Sequence, residues 1–305
     1  MSPRVRAETA ELAFVDCLTR LMPESERVAA APGEFPDPLL ETAATVVAPG
    51  RTESFWIDVR VPPAAAAGRY LATVTAQIGA TARQLPLALE VHPAVVPVRR
   101  TLRLTNWFSV NPRWLGYADA PPLSVNWWRT VEAIARSCWG HRQNVFWTSL
   151  DDWMIPRRVG PDGGLALDFS HFDRWVQTFS HPDFETFIEG QPITTRDGYD
   201  GHIRAPVWRV EEGAVKREIV EVDSPAAAAW FATFLTALRQ HLAERGCLDR
   251  FLLHLADEPH GHQLAPYAKL VEYVRAAAPD LRIVEALDVR DDYVFFQDRV
   301  DVWVP

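Results

Sequence analysis

The sequence predicts an α/β protein in two parts. A β-sandwich spans residues 1–97, and a TIM-type (β/α) barrel, truncated after about six strands, spans residues 98–305. Three observations predict it. Residues before 97 hold short segments that alternate apolar and polar residues between Pro and Gly turns. From residue 101 apolar strand runs alternate with stretches of helical spacing, the pattern of βαβ units and a parallel sheet. The 305 residues, 48% hydrophobic and 23% charged, suffice for two domains of about 150 residues with buried cores.

In the first part, RTESFWIDVRVP (51–62) alternates with period two. PAAAAGRYLATVTAQIGA (63–80) turns at Ala-Gly-Arg and then alternates through Tyr70, Ala72 and Val74; RQLPLALEVHP (83–93) supplies another strand. VHPAVVPVRR (91–100), dense in prolines, reads as a linker. In the second part, TLRLTNW (101–107) is a strand. SVNWWRTVEAIARSCWGH (124–141) is a helix with Trp128, Val131, Ile134, Ala135 and Cys138 at helical spacing. NVFWTSL (144–150) is the second strand. DFSHFDRWVQTFS (168–180) is a helix capped by Asp168 or Ser170, and FETFIEG (184–190) is the third strand. Residues 191–223, rich in Gly, Asp and Arg, read as a long loop. SPAAAAWFATFLTALRQHLAERG (224–246) is a helix with Ser224 as cap, Pro225 at its first position and Gly246 at its end. FLLHLAD (251–257), the helix QLAPYAKLVEYVRAAAP (263–279), LRIVEALD (281–288) and RVDVWVP (299–305) complete the pattern. A closed barrel needs eight strands, so the expectation is that the chain is a fragment of a longer enzyme.

A net charge of −9 argues against nucleic acid or an anionic membrane as partner. No apolar window is long enough for a spanning helix, and the charged start MSPRVRAETAELAFVD lacks a signal-peptide core, so the expected location is cytoplasmic by default. Cys17, Cys138 and Cys247 stand alone without CxxC spacing and read as buried thiols. His254, His260 and His262 supply no ligand set at fixed spacing; neither a metal nor another cofactor is expected. RDGYDGH (196–202) is acidic but lacks EF-hand spacing and reads as a βα loop.

In a barrel the C-terminal strand ends converge on one face. Here they carry Asn106 and Trp107, Trp147 and Thr148, Glu189, Asp257 and Glu258, Asp288, and Trp303. Indoles beside carboxylates suit a carbohydrate, whose apolar ring faces stack on aromatics while acids move protons. The adjacent pair Asp257-Glu258 has two readings: solvated charges at a loop edge, or acids held for proton chemistry.

The segments LRLTNWF (102–108), GHRQNVFWTSL (140–150), LDFSHFDRWV (167–176), FLLHLADEP (251–259) and EALD (285–288) with RVDVWVP (299–305) resemble glycoside hydrolase family 123 and its relatives. FWIDVRVPPAAAAGRYLATVTA (55–76) and LPLALEVHP (85–93) are similar to that family's N-terminal β-sandwich. The resemblance covers nearly the whole chain; LADEP and VDVWVP are its most specific parts. It implies a β-N-acetylgalactosaminidase type of activity, the retaining exo-hydrolysis of a terminal 2-acetamido sugar in which the substrate's own acetamido oxygen is the nucleophile. It makes Glu258 the general acid and then base, and Asp257 the group that orients the acetamido N–H. Asn106, Trp107, Trp147, Thr148, Glu189, Asp288 and Trp303 become substrate contacts. The match ends before the family's last barrel strands and C-terminal domain, and the segment 191–223 looks divergent. The alternative is a carbohydrate-binding or catalytically inactive truncated barrel.

Overall fold

The computed structural model of the protein describes residues 44–50, 54–108, 110, 120–288 and 292–304, and the backbone of short strands at 2–6, 9–11, 34–36 and 39–40. Cys17 and the charged start of the chain beyond those strands lie outside the described residues. The chain divides into two compact units, Met1–Val96 and Pro97–Pro305. Among the described residues no helix is long and apolar enough to cross a membrane.

Among the described residues every strand pair of the first unit is antiparallel. β1 (Ser2–Arg6) pairs with β4 (Leu39–Leu40) and β5 (Ser54–Asp58), and β2 (Thr9–Glu11) pairs with β3 (Glu34–Pro36). β6 (Gly68–Ile78) and β7 (Thr81–Val91) form a hairpin in register from Gly68–Val91 to Ile78–Thr81. Gly79, at φ +56°, opens its two-residue turn, where a type II′ geometry wants glycine first.

The second unit is built on a parallel sheet. α1 (Val125–Gly140) leads into β8 (Val145–Thr148); a small hairpin of β9 (Arg157–Val159) and β10 (Leu165–Leu167) follows. α2 (Ser170–Phe179) precedes β11 (Phe187–Gly190). β12 (Arg204–Glu211) and β13 (Ala214–Glu221) precede α3 (Pro225–Glu244) and β14 (Phe251–Leu253). α4 (Leu264–Ala277), β15 (Arg282–Ala286), the one-turn α5 (Tyr293–Phe296) and β16 (Val302–Val304) follow. The strands run β16-β15-β14-β11-β8, all pairs parallel.

Capping chemistry places the long helices as the sequence requires. Ser124 Oγ accepts from the Trp127 amide at 3.2 Å and Ser224 Oγ from the Ala227 amide at 3.2 Å. Gly246, at φ +62°, closes the end of α3. The apolar faces of α1 to α4 carry Trp127, Trp128, Phe172, Trp175, Phe231, Phe234, Leu238, Tyr267 and Leu270 into one buried cluster with strand residues such as Phe146, Ile188 and Leu253. Val145, Phe187, Leu252 and Val284, one from each of four neighbouring strands, form a second buried cluster.

Three expectations change. The stretch 191–223 is not one long loop: it folds into the β12–β13 hairpin, whose turn residues Glu212 and Gly213 sit at φ +50° and +72°, the pair of positive angles a type I′ turn needs. α2 takes its cap position at Phe169, while Asp168 Oδ1 accepts the Ser170 amide at 3.0 Å. The strand expected at 101–107 joins the sheet through a single parallel bridge, Thr105 to Val145. Buried Asn144 substitutes for the missing ladder: its side chain accepts from the Leu104 amide at 2.8 Å and donates to the Leu102 carbonyl at 3.1 Å.

Candidate active site

Side chains alternate along a strand, so residues two beyond the apolar layer lie on the same face, nearer the C-terminal end. Two beyond Val145, Phe187 and Leu252 come Trp147, Glu189 and His254. The apolar layer thus gives way to an aromatic and charged one where the strands end.

Gln143, buried beneath this layer, fixes the segment that carries Trp107. Its amide nitrogen donates to the carbonyls of Asn106 at 3.1 Å and Val145 at 2.9 Å, and Asn106 Nδ2 reaches its oxygen at 3.4 Å. The Trp107 ring then stacks on Trp147, centroids 4.4 Å apart and planes 26° from parallel. Trp107 remains 42% exposed, an aromatic wall with an open side.

A cleft of about 510 Å³ opens beside that wall, lined by Thr105, Asn106, Trp107, Glu258, Ala286, Leu287, Asp288 and Val304. Glu258 holds a left-handed backbone, φ +45°, although it is not glycine. Such a conformation costs an L-residue about 1–2 kcal/mol and persists only where surrounding structure imposes it. Its carboxyl is raised above the ordinary glutamate range, first by burial and then by the negative charges of Asp257 and Asp288; Arg196 and His260 pull the other way without prevailing. Asp257 is not among the residues lining this cleft. Its side chain is 47% exposed and 4.0 Å from Arg196 Nη2.

The segment after β11 folds over the acid pair. Fully buried Gln263 donates to the carbonyls of Tyr199 and Gly201, both at 2.8 Å, and accepts from Arg196 Nη1 at 3.1 Å and the His260 amide at 3.2 Å. Tyr199 stacks on His260 at 4.4 Å and donates its hydroxyl to Asp288 at 3.0 Å. Burial, then the Asp288 contact, pushes that hydroxyl up to about 12, so it stays a donor.

Beneath the cleft lies a chain of buried charge. Glu189, His254 and Glu285 are 1%, 0% and 0% exposed. The imidazole sits between the acids, Nε2 at 2.8 Å from Glu189 Oε1 and Nδ1 at 3.1 Å from Glu285 Oε1. Burial opposes protonation of His254, but the two hydrogen-bonded carboxylates outweigh it and raise its pKa to about 9, so it is an imidazolium at neutral pH. Burial raises Glu285 as well.

Residues 127–304 match the family described as glycoside hydrolase 123, catalytic domain. The chain belongs to glycoside hydrolase family 123. Among solved structures it is similar to a family 123 glycoside hydrolase from Clostridium perfringens, determined in work on glycolipid glycan hydrolysis: TM-score 0.70 at 17% sequence identity, over 99% of this chain and 54% of that one. At that identity the likeness is one of fold, and this chain spans about half the length of that relative. Among curated proteins none matches.

In this family 123 chain the structure gathers Asn106, Trp107, Glu258 and Asp288 around one cleft. Trp147 backs Trp107 from behind. Three residues expected as sugar contacts do other jobs. Glu189 is buried and its oxygens accept from Thr105 Oγ1 at 2.5 Å, Trp107 Nε1 at 3.1 Å and His254. Thr148, also buried, accepts from Trp175 Nε1 at 3.1 Å. Trp303 packs edge-on to Tyr293 at 5.5 Å and is not among the cleft-lining residues. The sequence reading missed Arg196, Tyr199, Gln263 and Glu285, and set His254 aside. A signal existed for two of these: a charged residue inside an apolar strand, as in FLLHLAD and LRIVEALD, must have a partner when buried.

Proposed function

We propose that this chain is a glycoside hydrolase that removes a terminal 2-acetamido sugar of the N-acetylgalactosamine type with retention of configuration. The sheet is read as part of a TIM-type (β/α) barrel carrying the active site, and residues 1–97 as an accessory β-sandwich. In the first step the substrate's acetamido oxygen attacks the anomeric carbon, the glycosidic C–O bond breaks, and Glu258 protonates the departing oxygen. Asp257 accepts the acetamido N–H and steadies the positive charge that the amide gains. In the second step water adds to the anomeric carbon, its proton passes to Glu258, and the cyclic intermediate reopens with the acetamido group restored.

The observation that carries this reading is Glu258: an acid at the rim of a Trp-walled cleft, in an imposed backbone conformation, held above the ordinary glutamate range by burial and by two neighbouring anions. A general acid must be protonated when the substrate binds, and these anions keep it so at higher pH than a free glutamate. The adjacent pair needs no separation of about 5–9 Å between carboxyls, the spacing of ordinary glycosidases, because each acid addresses a different atom of one sugar. Glycolipid glycans, the subject of the work on the Clostridium perfringens relative, are natural substrates to try alongside aryl glycosides. Hydrolysis of an alkyl β-N-acetylgalactosaminide that is all but lost in Glu258→Gln, drops by orders of magnitude in Asp257→Asn, and is absent on the matching sugar with a 2-hydroxyl supports the reading. Equal rates on the two sugars would remove the acetamido mechanism, and unchanged rates in both variants would remove the site.

A further inference from the structure

The buried network joins two things that the mechanism needs held in one frame. At one end Glu189 Oε1 accepts the indole N–H of Trp107 at 3.1 Å, and Oε2 accepts the Thr105 hydroxyl at 2.5 Å. Thr105 and Trp107 both line the cleft. In the middle His254 bridges Glu189 and Glu285, and Trp107 and Trp147 meet its ring edge-on at 5.6 and 5.0 Å. At the other end Glu285 Oε2 accepts the amide of Ala256 at 3.2 Å, the residue directly before Asp257-Glu258. An unbroken line of hydrogen bonds therefore runs from the aromatic wall to the backbone of the acid pair. Two carboxylates and an imidazole buried at 1% exposure or less are costly unless each polar atom is engaged, and a merely apolar filling would pack these strands without that cost.

We propose that Glu189, His254 and Glu285 are positioning residues that hold the Trp107 wall and the Asp257-Glu258 segment in register for the bound sugar. This rests on the function proposed above, since it is that sugar which the two walls would hold. None of the three touches substrate; each acts through Trp107 or through the Ala256 amide. Cutting the Glu189 end loosens the wall and weakens sugar binding. Cutting the Glu285 end displaces the acid and lowers turnover.

The test uses the full chain labelled with 15N-tryptophan, in which each of the twelve indole N–H groups gives one resonance. The Trp107 signal is assigned by its loss in Trp107→Phe. In the wild type it is protected from exchange by the Glu189 bond. In Glu189→Gln or His254→Gln it shifts and loses protection, and KM for the aryl N-acetylgalactosaminide rises about tenfold; in Glu285→Gln kcat falls about tenfold or more while KM moves less. An unmoved Trp107 resonance in folded variants would overturn the proposal. So would a moved resonance with unchanged kinetic constants, which would make the network a packing device. If His254→Gln does not fold, the isosteric Glu189→Gln is read instead. A wild type that shows no hydrolysis defeats the proposed function alone; titration with free N-acetylgalactosamine then decides, and equal affinity in wild type and Glu189→Gln overturns the positioning role.

Discussion

Two pairs of acids occupy the same end of one parallel sheet and are treated in opposite ways. Glu189 and Glu285 are sealed from water, share a single imidazolium and spend their oxygens on the protein's own donors. Asp257 and Glu258 are left partly open, with no cation locked between them among the described residues; Arg196 Nη2 lies 4.0 Å from Asp257. The residue types are nearly the same, so environment decides the role. Acids whose oxygens are engaged by bonded partners in a dry site hold a shape, whereas one at the rim of an open cleft, raised by burial and by neighbouring anions, is suited to give up and regain a proton.

The contrast predicts separable losses. The largest is in activity: Glu258→Gln lowers kcat by roughly 10²–10⁴-fold, the usual worth of a positioned general acid, with the urea midpoint nearly unchanged. A parallel drop in stability would place Glu258 with the structural acids. Next comes Glu285→Ala, which strands the imidazolium and the Ala256 amide in a dry site and should cost about 3–5 kcal/mol in urea unfolding. A smaller cost would mean that the buried network relaxes freely.

The two pairs should also separate with pH. His254 is raised from 6.5 to about 9, so the folded state binds the extra proton between those values. Its stabilising contribution is complete below about pH 6.5 and disappears as pH climbs through 9. The melting temperature should fall across that window in the wild type and be flatter in His254→Gln. Glu258→Gly should then run opposite to intuition, since glycine accepts φ +45° without strain. It should stabilise the fold by about 1 kcal/mol while abolishing hydrolysis. The smallest effect is Asp288→Asn. Removing an anion that raises Glu258 moves the alkaline limb of the kcat/KM profile to lower pH, and a limb that moves upward or stays would show that Asp288 does not act on this acid.

Much of the sheet was legible because its strands and helices obey strong periods. Segments such as FLLHLAD and SPAAAAWFATFLTALRQHLAERG carry their boundaries in Ser, Pro and Gly signals, and the structure places β14 and α3 within them. The β12–β13 hairpin was hidden by the Gly- and Asp-rich residues just before it, although RAPVWRVE, then EG, then AVKREIV is itself a turn between two strands. Asn106, Trp107, Glu258 and Asp288 were legible as a group because they close strands or follow them, and strand ends converge. The buried network was not. His254 lies 65 residues from Glu189 and 31 from Glu285, and only the lateral order of the strands brings them together. Gln263 was invisible for a similar reason: it sits in a helix-start segment and clamps a loop more than sixty positions away.

In the proposed mechanism Glu258 delivers the proton to the leaving oxygen. This step is tested most directly by kcat/KM for two N-acetylgalactosaminides that differ only in leaving group, one a 2,4-dinitrophenolate that departs without help and one an alkoxide that cannot. Glu258→Gln should cripple cleavage of the alkyl glycoside by roughly 10²-fold or more yet leave the dinitrophenyl glycoside within about tenfold of wild type. Equal losses on both substrates, or none on either, would contradict it.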